Sequence, residues 1–166
     1  MIRLVLADDH PLLLDGLERL FDQEPDFEVA ARCTNGDEAL AAVRDHRPDV
    51  LVLDFKMPGK DGLSVVRAAR IEIPELAVVI LSAALDDGEV VAAVQLGVQG
   101  VVFKETASHV LIRAVREVHA GGVWLDQRAA GKALSGVLKR AAGERAPQAD
   151  WRHWHQWQID NLCVDR

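Results

Sequence analysis

A run of four residues, Val50-Leu51-Val52-Leu53, constrains the fold more than any other stretch of this chain. Four consecutive apolar residues show no alternation, so the strand they predict must be covered on both faces. The run stops at a carboxylate, Asp54. Phe55-Lys56-Met57-Pro58-Gly59-Lys60-Asp61-Gly62 follows, and its Pro-Gly and Asp-Gly pairs mark a loop. A strand buried on both faces belongs to a parallel sheet, and open α/β sheets gather their chemistry at the carboxyl ends of their strands. Asp54 is therefore expected at such an end. Taken alone it reads equally well as the cap of the next helix.

The rest of the chain repeats the same unit. Ile2–Ala7 predicts a strand ending at Asp8-Asp9, and His10-Pro11 opens a helix with Leu13, Leu14, Leu17, Leu20 and Phe21 at helical spacing. Phe27–Cys33 predicts a second strand, Asn35-Gly36 its turn, and 37–45 a helix with Ala39, Leu40 and Val43 inward. After the strand at 50–53, residues 63–71 predict a helix stopped before Pro74. Leu76 to Leu81 predicts a fourth strand ending at Ser82. A helix then begins at Asp86-Asp87-Gly88, closed by Gly97 as a left-handed cap. Gly100–Phe103 predicts the last strand, with Lys104 at its end. Thr106 or Ser108 caps a helix to about Ala120, and Gly121-Gly122 ends it.

Five β and five α segments thus alternate strictly. That pattern predicts an α/β fold: a (βα)5 flavodoxin-like, doubly wound parallel sheet in the order 2-1-3-4-5. Asp8, Asp9, Asp54, Ser82 and Lys104 then all stand on one edge of it.

Charge narrows the function. Residues 1–121 carry 21 acidic and 12 basic side chains, a net of −9, and residues 122–166 carry a net of +2. Non-specific binding to nucleic acid rests on neutralising phosphates, so an acidic body is ill suited to grip DNA. Cys33 and Cys163 lie far apart and suggest no disulfide framework. Cys33 is most simply a small core residue, and a reducing, cytoplasmic location is expected. No stretch approaches a membrane span, so no membrane partner is expected.

Three carboxylates on one edge repel, at about 4 kcal/mol for each pair some 4 Å apart if the effective dielectric is near 20. Such a group holds a proton or binds a cation. Oxygen ligands with room for water suit Mg²⁺, Lys104 adds a positive point charge, and Ser82 adds a hydrogen bond. These are the parts that stabilise a phosphoryl group in transfer, and the remaining carboxylate can serve as the nucleophile.

At these positions residues 1–121 resemble a bacterial response-regulator receiver domain. The Asp-Asp pair after strand one, the D-x-x-M-P-G-x-D-G stretch, Ser-Ala after strand four and Lys after strand five all carry the likeness. Asp8-Asp9-His10-Pro11 and Lys104-Glu105 resemble the NarL/FixJ type, whose members usually carry a C-terminal helix-turn-helix. The resemblance implies that Asp54 is the phosphate acceptor, with a sensor histidine kinase as partner. It implies that Asp9, Asp54 and the backbone carbonyl of Lys56 hold Mg²⁺, with Asp8 acting through water. Ser82 and Lys104 would hold the phosphoryl oxygens. Two departures stand out. Val101 occupies the place of a switch aromatic, and Lys56 puts an ammonium two residues past the acceptor. His10 is expected to shape the loop. The last receiver helix, with the helix and strand before it, is the expected face for a homodimer.

Beyond the receiver, 126–140 predicts a linker helix within residues 122–141, and residues 142–166 an atypical, mobile tail with Trp151, Trp154 and Trp157 at every third position. His153, His155 and Cys163 make a poor ligand set for a metal. About sixteen residues after Asp150 are too few for a helix-turn-helix core, so no DNA binding is expected from this chain. The favoured expectation is a phosphorylation-switched signalling domain, not a metabolic enzyme. The alternative is a transcription regulator whose DNA-binding part is lost or truncated here. An aspartyl-phosphate phosphatase would carry a second aspartate where Lys56 stands.

Overall fold

The computed structural model describes residues 1–106 and 108–142. Its elements are β1 (Ile2–Ala7), α1 (Pro11–Asp22), β2 (Phe27–Cys33), α2 (Gly36–His46), β3 (Val50–Leu53), α3 (Gly62–Glu72), β4 (Ala77–Ser82), α4 (Asp87–Gln95), β5 (Gly100–Phe103), α5 (Ser108–His119), β6 (Trp124–Leu125) and α6 (Gln127–Ala141). The sheet is parallel throughout, in the order β2-β1-β3-β4-β5-β6. The expected order is present, and a sixth strand extends it. β6 was not anticipated: a strand of two residues is too short to show a period. The expected tail lies, apart from Ala142, outside the described residues.

β3 is central and all four of its residues are buried. Leu51 and Leu53 face a core shared with Ala39 and Val43 of α2, Val65 and Val66 of α3, and Val90 of α4. Val50 and Val52 face the opposite core, with Leu14, Leu17 and Phe21 of α1 and Leu111 and Val115 of α5. This two-sided cover is why the strand reads as an unbroken apolar run. Among the described residues no helix is long and apolar enough to cross a membrane.

The helix ends follow local chemistry. Asp61 caps α3 by accepting from the Ser64 amide at 2.9 Å. Gly62 is needed beside it, because a Cβ there would stand 2.9 Å from the Phe55 carbonyl oxygen. Asp86 and Glu89 form a reciprocal capping box on α4. At its other end Gly97 takes φ +80°, and the Gly97 and Val98 amides return to Val94 and Ala93. α4 thus closes at the glycine expected to cap it.

α6 starts one residue later than expected because Asp126 is its cap, accepting from the Ala129 amide at 2.8 Å. The same carboxylate accepts from the Phe103 amide at 3.2 Å, tying the helix start to the end of β5. Farther along, α6 lies against α4. Lys139 reaches Asp87 at 3.0 Å, and a Cβ on Gly136 would fall 2.6 Å from Val91 Cγ2 and 3.3 Å from the Asp87 carbonyl. β6 and α6 therefore occupy the β5 edge and part of α4, a region the sequence assigned to pairing between copies. Gly136→Val is expected to lower stability by about 1–3 kcal/mol, the usual cost of overpacking a close contact. Urea unfolding measures it, and a variant as stable as the parent would mean that α6 does not pack on α4.

Candidate functional site

The carboxyl ends of β1, β3, β4 and β5 bring Asp8, Asp54, Ser82 and Lys104 together as the alternation predicted. Their backbones continue the sheet. The Asp8 amide donates to the Cys33 carbonyl at 3.0 Å, that of Asp54 to Ala7 at 2.8 Å and that of Lys104 to Ser82 at 2.9 Å. Each site side chain thus leaves from a hydrogen-bonded rung at the rim of the sheet, not from a free loop.

Asp54 is 3% exposed and Asp8 is equally hidden. Lys104 Nζ bridges them, 2.7 Å from Asp8 Oδ2 and 3.2 Å from Asp54 Oδ2. The Lys56 amide donates to Asp54 Oδ1 at 3.1 Å, which folds the Lys56 backbone over the carboxylate. The Lys56 ammonium points elsewhere, 3.8 Å from Glu89. Ser82 is buried at the same rim, but its hydroxyl donates to the Ala84 carbonyl at 3.2 Å. Val101 lies in the core on the side of α2, α3 and α4, with no aromatic ring in its place. Asp9 is half-buried, and its Oδ1 is shielded from solvent yet accepts no hydrogen bond.

Burial pushes the Asp54 carboxyl above the usual range. The Lys56 amide opposes this, the Asp8 charge adds to it, and Lys104 opposes it again. Burial works against the Lys104 ammonium, but its bonds to Asp8 and Asp54 outweigh that and hold it above an ordinary lysine. Burial likewise pushes the Cys33 thiol up to about 11, an inert core group as its position suggested.

The acidic edge fits a cation. One oxygen each from Asp8, Asp9 and Asp54 and one ring nitrogen of His10 lie within 4.8 Å of one another. The unbonded oxygen of Asp9 is the clearest sign, since a shielded carboxylate oxygen ordinarily finds a partner. His10 is the residue that the sequence undervalued. Its Nδ1 lies 2.8 Å from Asp8 Oδ1 and 3.0 Å from Asp9 Oδ1. The only sequence signal was its place directly after the aspartate pair.

Comparison with known proteins gives the family. Residues 4–116 match the family model of the response regulator receiver domain. The chain belongs to that family. It is 35% identical over 147 residues to the DNA-binding transcriptional activator DevR/DosR of Mycobacterium tuberculosis, covering 89% of this chain and 67% of that protein. It is 34% identical over 128 residues to the oxygen regulatory protein NreC of Staphylococcus epidermidis, covering 76% of this chain and 59% of that one. Among solved structures, a LuxR-family two-component response regulator from Aurantimonas sp. superposes with a TM-score of 0.78 at 25% identity, covering 83% of this chain and 99% of that one. The receiver domain of NarL from Mycobacterium tuberculosis superposes with a TM-score of 0.69 at 32% identity, covering 72% and 97%. The chain thus spans between 54% and 67% of the first curated relatives it matches. This receiver is related to the NarL/LuxR family of transcription regulators.

The raised Asp54 carboxyl makes a stability prediction. A carboxyl raised on folding contributes most below its unfolded pKa, and that contribution is lost as pH climbs through the folded value. In chelator, Asp54→Asn is therefore expected to raise Tm at neutral pH. The advantage should shrink as the pH falls below the folded value and the parent carboxyl takes up its proton. Thermal unfolding across that range checks it; a variant less stable than the parent at neutral pH would contradict the assigned cause.

Proposed function

We propose that this receiver takes a phosphoryl group onto Asp54 from a phosphohistidine of a sensor kinase, and that the acyl phosphate changes the surface the chain presents. The observation that carries this reading is the buried Asp54 carboxylate sharing one ammonium with Asp8 at the carboxyl edge of the sheet. An Asp54 oxygen attacks phosphorus, the bond from phosphorus to the departing nitrogen breaks, and the imidazole leaves with its electron pair. Asp9, Asp54 and the Lys56 backbone carbonyl would hold Mg²⁺, with Asp8 reaching it through water. When bound, that ion neutralises charge on the phosphoryl oxygens.

The chain's own groups supply the remainder. Lys104 moves its charge from the two carboxylates to the new phosphoryl oxygens, keeping the local charge balanced as the acceptor becomes a dianion. Ser82 exchanges its bond to the Ala84 carbonyl for one to the same group, drawing the loop after β4 towards the site. α4 follows that loop, and α6 packs on α4, so the displacement has a physical path outward. Val101 contributes no ring swing to this path. Among the described residues the β5 edge is paired with β6. A homodimer through the receiver would use α5 and the parts of α4 and β5 that α6 and β6 leave free. The acidic excess of residues 1–121 opposes DNA contact, and a cytoplasmic role beside the kinase is assigned on the same reading.

Acetyl phosphate with Mg²⁺ is expected to add one phosphoryl group by intact mass, and Asp54→Asn to add none; undiminished labelling of the variant would move the acceptor elsewhere. Asp9→Ala should lose most Mg²⁺ affinity by calorimetry, and equal affinity would remove Asp9 from the ligand set. Lys104→Ala should still accept the group but show little of the parent's phosphorylation-dependent change in amide exchange along α6. A full response from that variant would show that Ser82 alone carries the signal.

A further inference from the structure

One side-chain contact holds His10 at the acidic edge, its Nδ1 at hydrogen-bond distance from Asp8 Oδ1. The residue occupies the cap position of α1, yet its side chain makes no capping hydrogen bond, and the helix is started instead by Pro11 with its fixed φ. The imidazole is 66% exposed, so packing does not hold it either. It nonetheless lies over the aspartate pair, with Nδ1 2.8 Å from Asp8 Oδ1 and 3.0 Å from Asp9 Oδ1. Asp9 Oδ1 accepts no hydrogen bond from it. The ring is near that oxygen without satisfying it.

Those separations have a second meaning. Six ligands arranged octahedrally at about 2.1 Å from a small divalent ion stand about 3 Å from their nearest neighbours. The 3.0 Å from Nδ1 to Asp9 Oδ1 is therefore the edge length of such a shell, while Asp8 lies outside it. One candidate donor atom from each of Asp8, Asp9, His10 and Asp54 lies within 4.8 Å of the others. The donor set available to an ion here is thus carboxylate oxygen plus one imidazole nitrogen, not oxygen alone.

We propose that His10 is a metal-selecting residue, whose Nδ1 completes the shell of a transition-metal ion such as Mn²⁺ at the acidic edge. The inference rests on the metal site assigned above and concerns which ion that site prefers. Mg²⁺ gains little from nitrogen, because it is a hard ion that keeps oxygen ligands and water. Mn²⁺ takes the same geometry but accepts imidazole more readily, and later ions of the series do so more strongly still. His10 therefore tilts the balance towards Mn²⁺ without closing the site to Mg²⁺.

The full chain, its His10→Ala variant and its Asp9→Ala variant are titrated with Mn²⁺ and read by electron paramagnetic resonance, with Mg²⁺ affinity from calorimetry. Bound Mn²⁺ in the parent is expected to show nitrogen hyperfine coupling. His10→Ala should lose the coupling and bind Mn²⁺ roughly tenfold more weakly, at the low end of what disturbing a ligand sphere costs. Its Mg²⁺ affinity should change by less than about twofold, because the oxygen ligands remain. An unchanged ratio of Mn²⁺ to Mg²⁺ affinity in His10→Ala, with Asp9→Ala binding neither, would overturn the role of His10 and leave the metal site standing. Undiminished binding of both ions by Asp9→Ala would overturn the site itself. His153 and His155 are present in all three proteins, so nitrogen coupling that persists in His10→Ala counts against the proposal.

Discussion

One ammonium between two buried carboxylates is the constraint on which the arrangement of this receiver depends. Asp8 and Asp54 are both almost wholly hidden, and Lys104 Nζ stands 2.7 and 3.2 Å from them. Two such charges left alone would repel strongly in a region that water screens poorly. Each of the three groups comes from a different strand, and each strand is held to its neighbours by backbone hydrogen bonds up to the residue concerned. The sheet therefore cannot relax to separate them. What remains adjustable is the identity of the positive charge beside them, and it is on this charge that the proposed metal ion and phosphoryl group would act.

The outer parts of the molecule connect to that edge through short paths. Phe103 precedes Lys104, and its amide is held by Asp126, the cap of α6. The Arg128 guanidinium lies over the Phe103 ring at 4.4 Å and pairs with Glu105. At the other end of the contact, Lys139 pairs with Asp87 in the first turn of α4, while Lys56 approaches Glu89 in the same turn. α6 is thus fastened on both sides of the loop that Ser82 begins. In the proposed switch, a change at the acidic edge would reach α6 along these contacts.

Much of this was legible in the chain, for reasons that differ by residue. β3 was plain because a strand covered on both faces needs an unbroken apolar run, and Asp54 because a charge ends that run. Gly97 was legible because its left-handed conformation is costly for other residues. Asp8, Ser82 and Lys104 followed from the alternation, since parallel strands put like ends together. β6 was not legible, because two residues carry no period. Nor was the partner of α6: Gly136 shows its use only once Val91 and the Asp87 carbonyl are beside it. The hydroxyl of Ser82 was expected near the acceptor, and the ammonium of Lys56 stood two residues past it in sequence with its direction open. Their present bonds, to the Ala84 carbonyl and towards Glu89, depend on loop conformation that spacing does not encode. His10 was passed over because a single histidine after two aspartates gives no indication of which way its ring turns.

The central claim is that chemistry occurs at one particular carboxylate among several neighbours, so the decisive measurement is one that locates it. An acyl phosphate is reduced by borohydride to the alcohol, converting the modified aspartate to homoserine, which peptide mass spectrometry assigns to a position. After acetyl phosphate and Mg²⁺, the account predicts homoserine at residue 54 and at no other. Homoserine at Asp8, Asp9 or Asp61, with Asp54 unmodified, would contradict it.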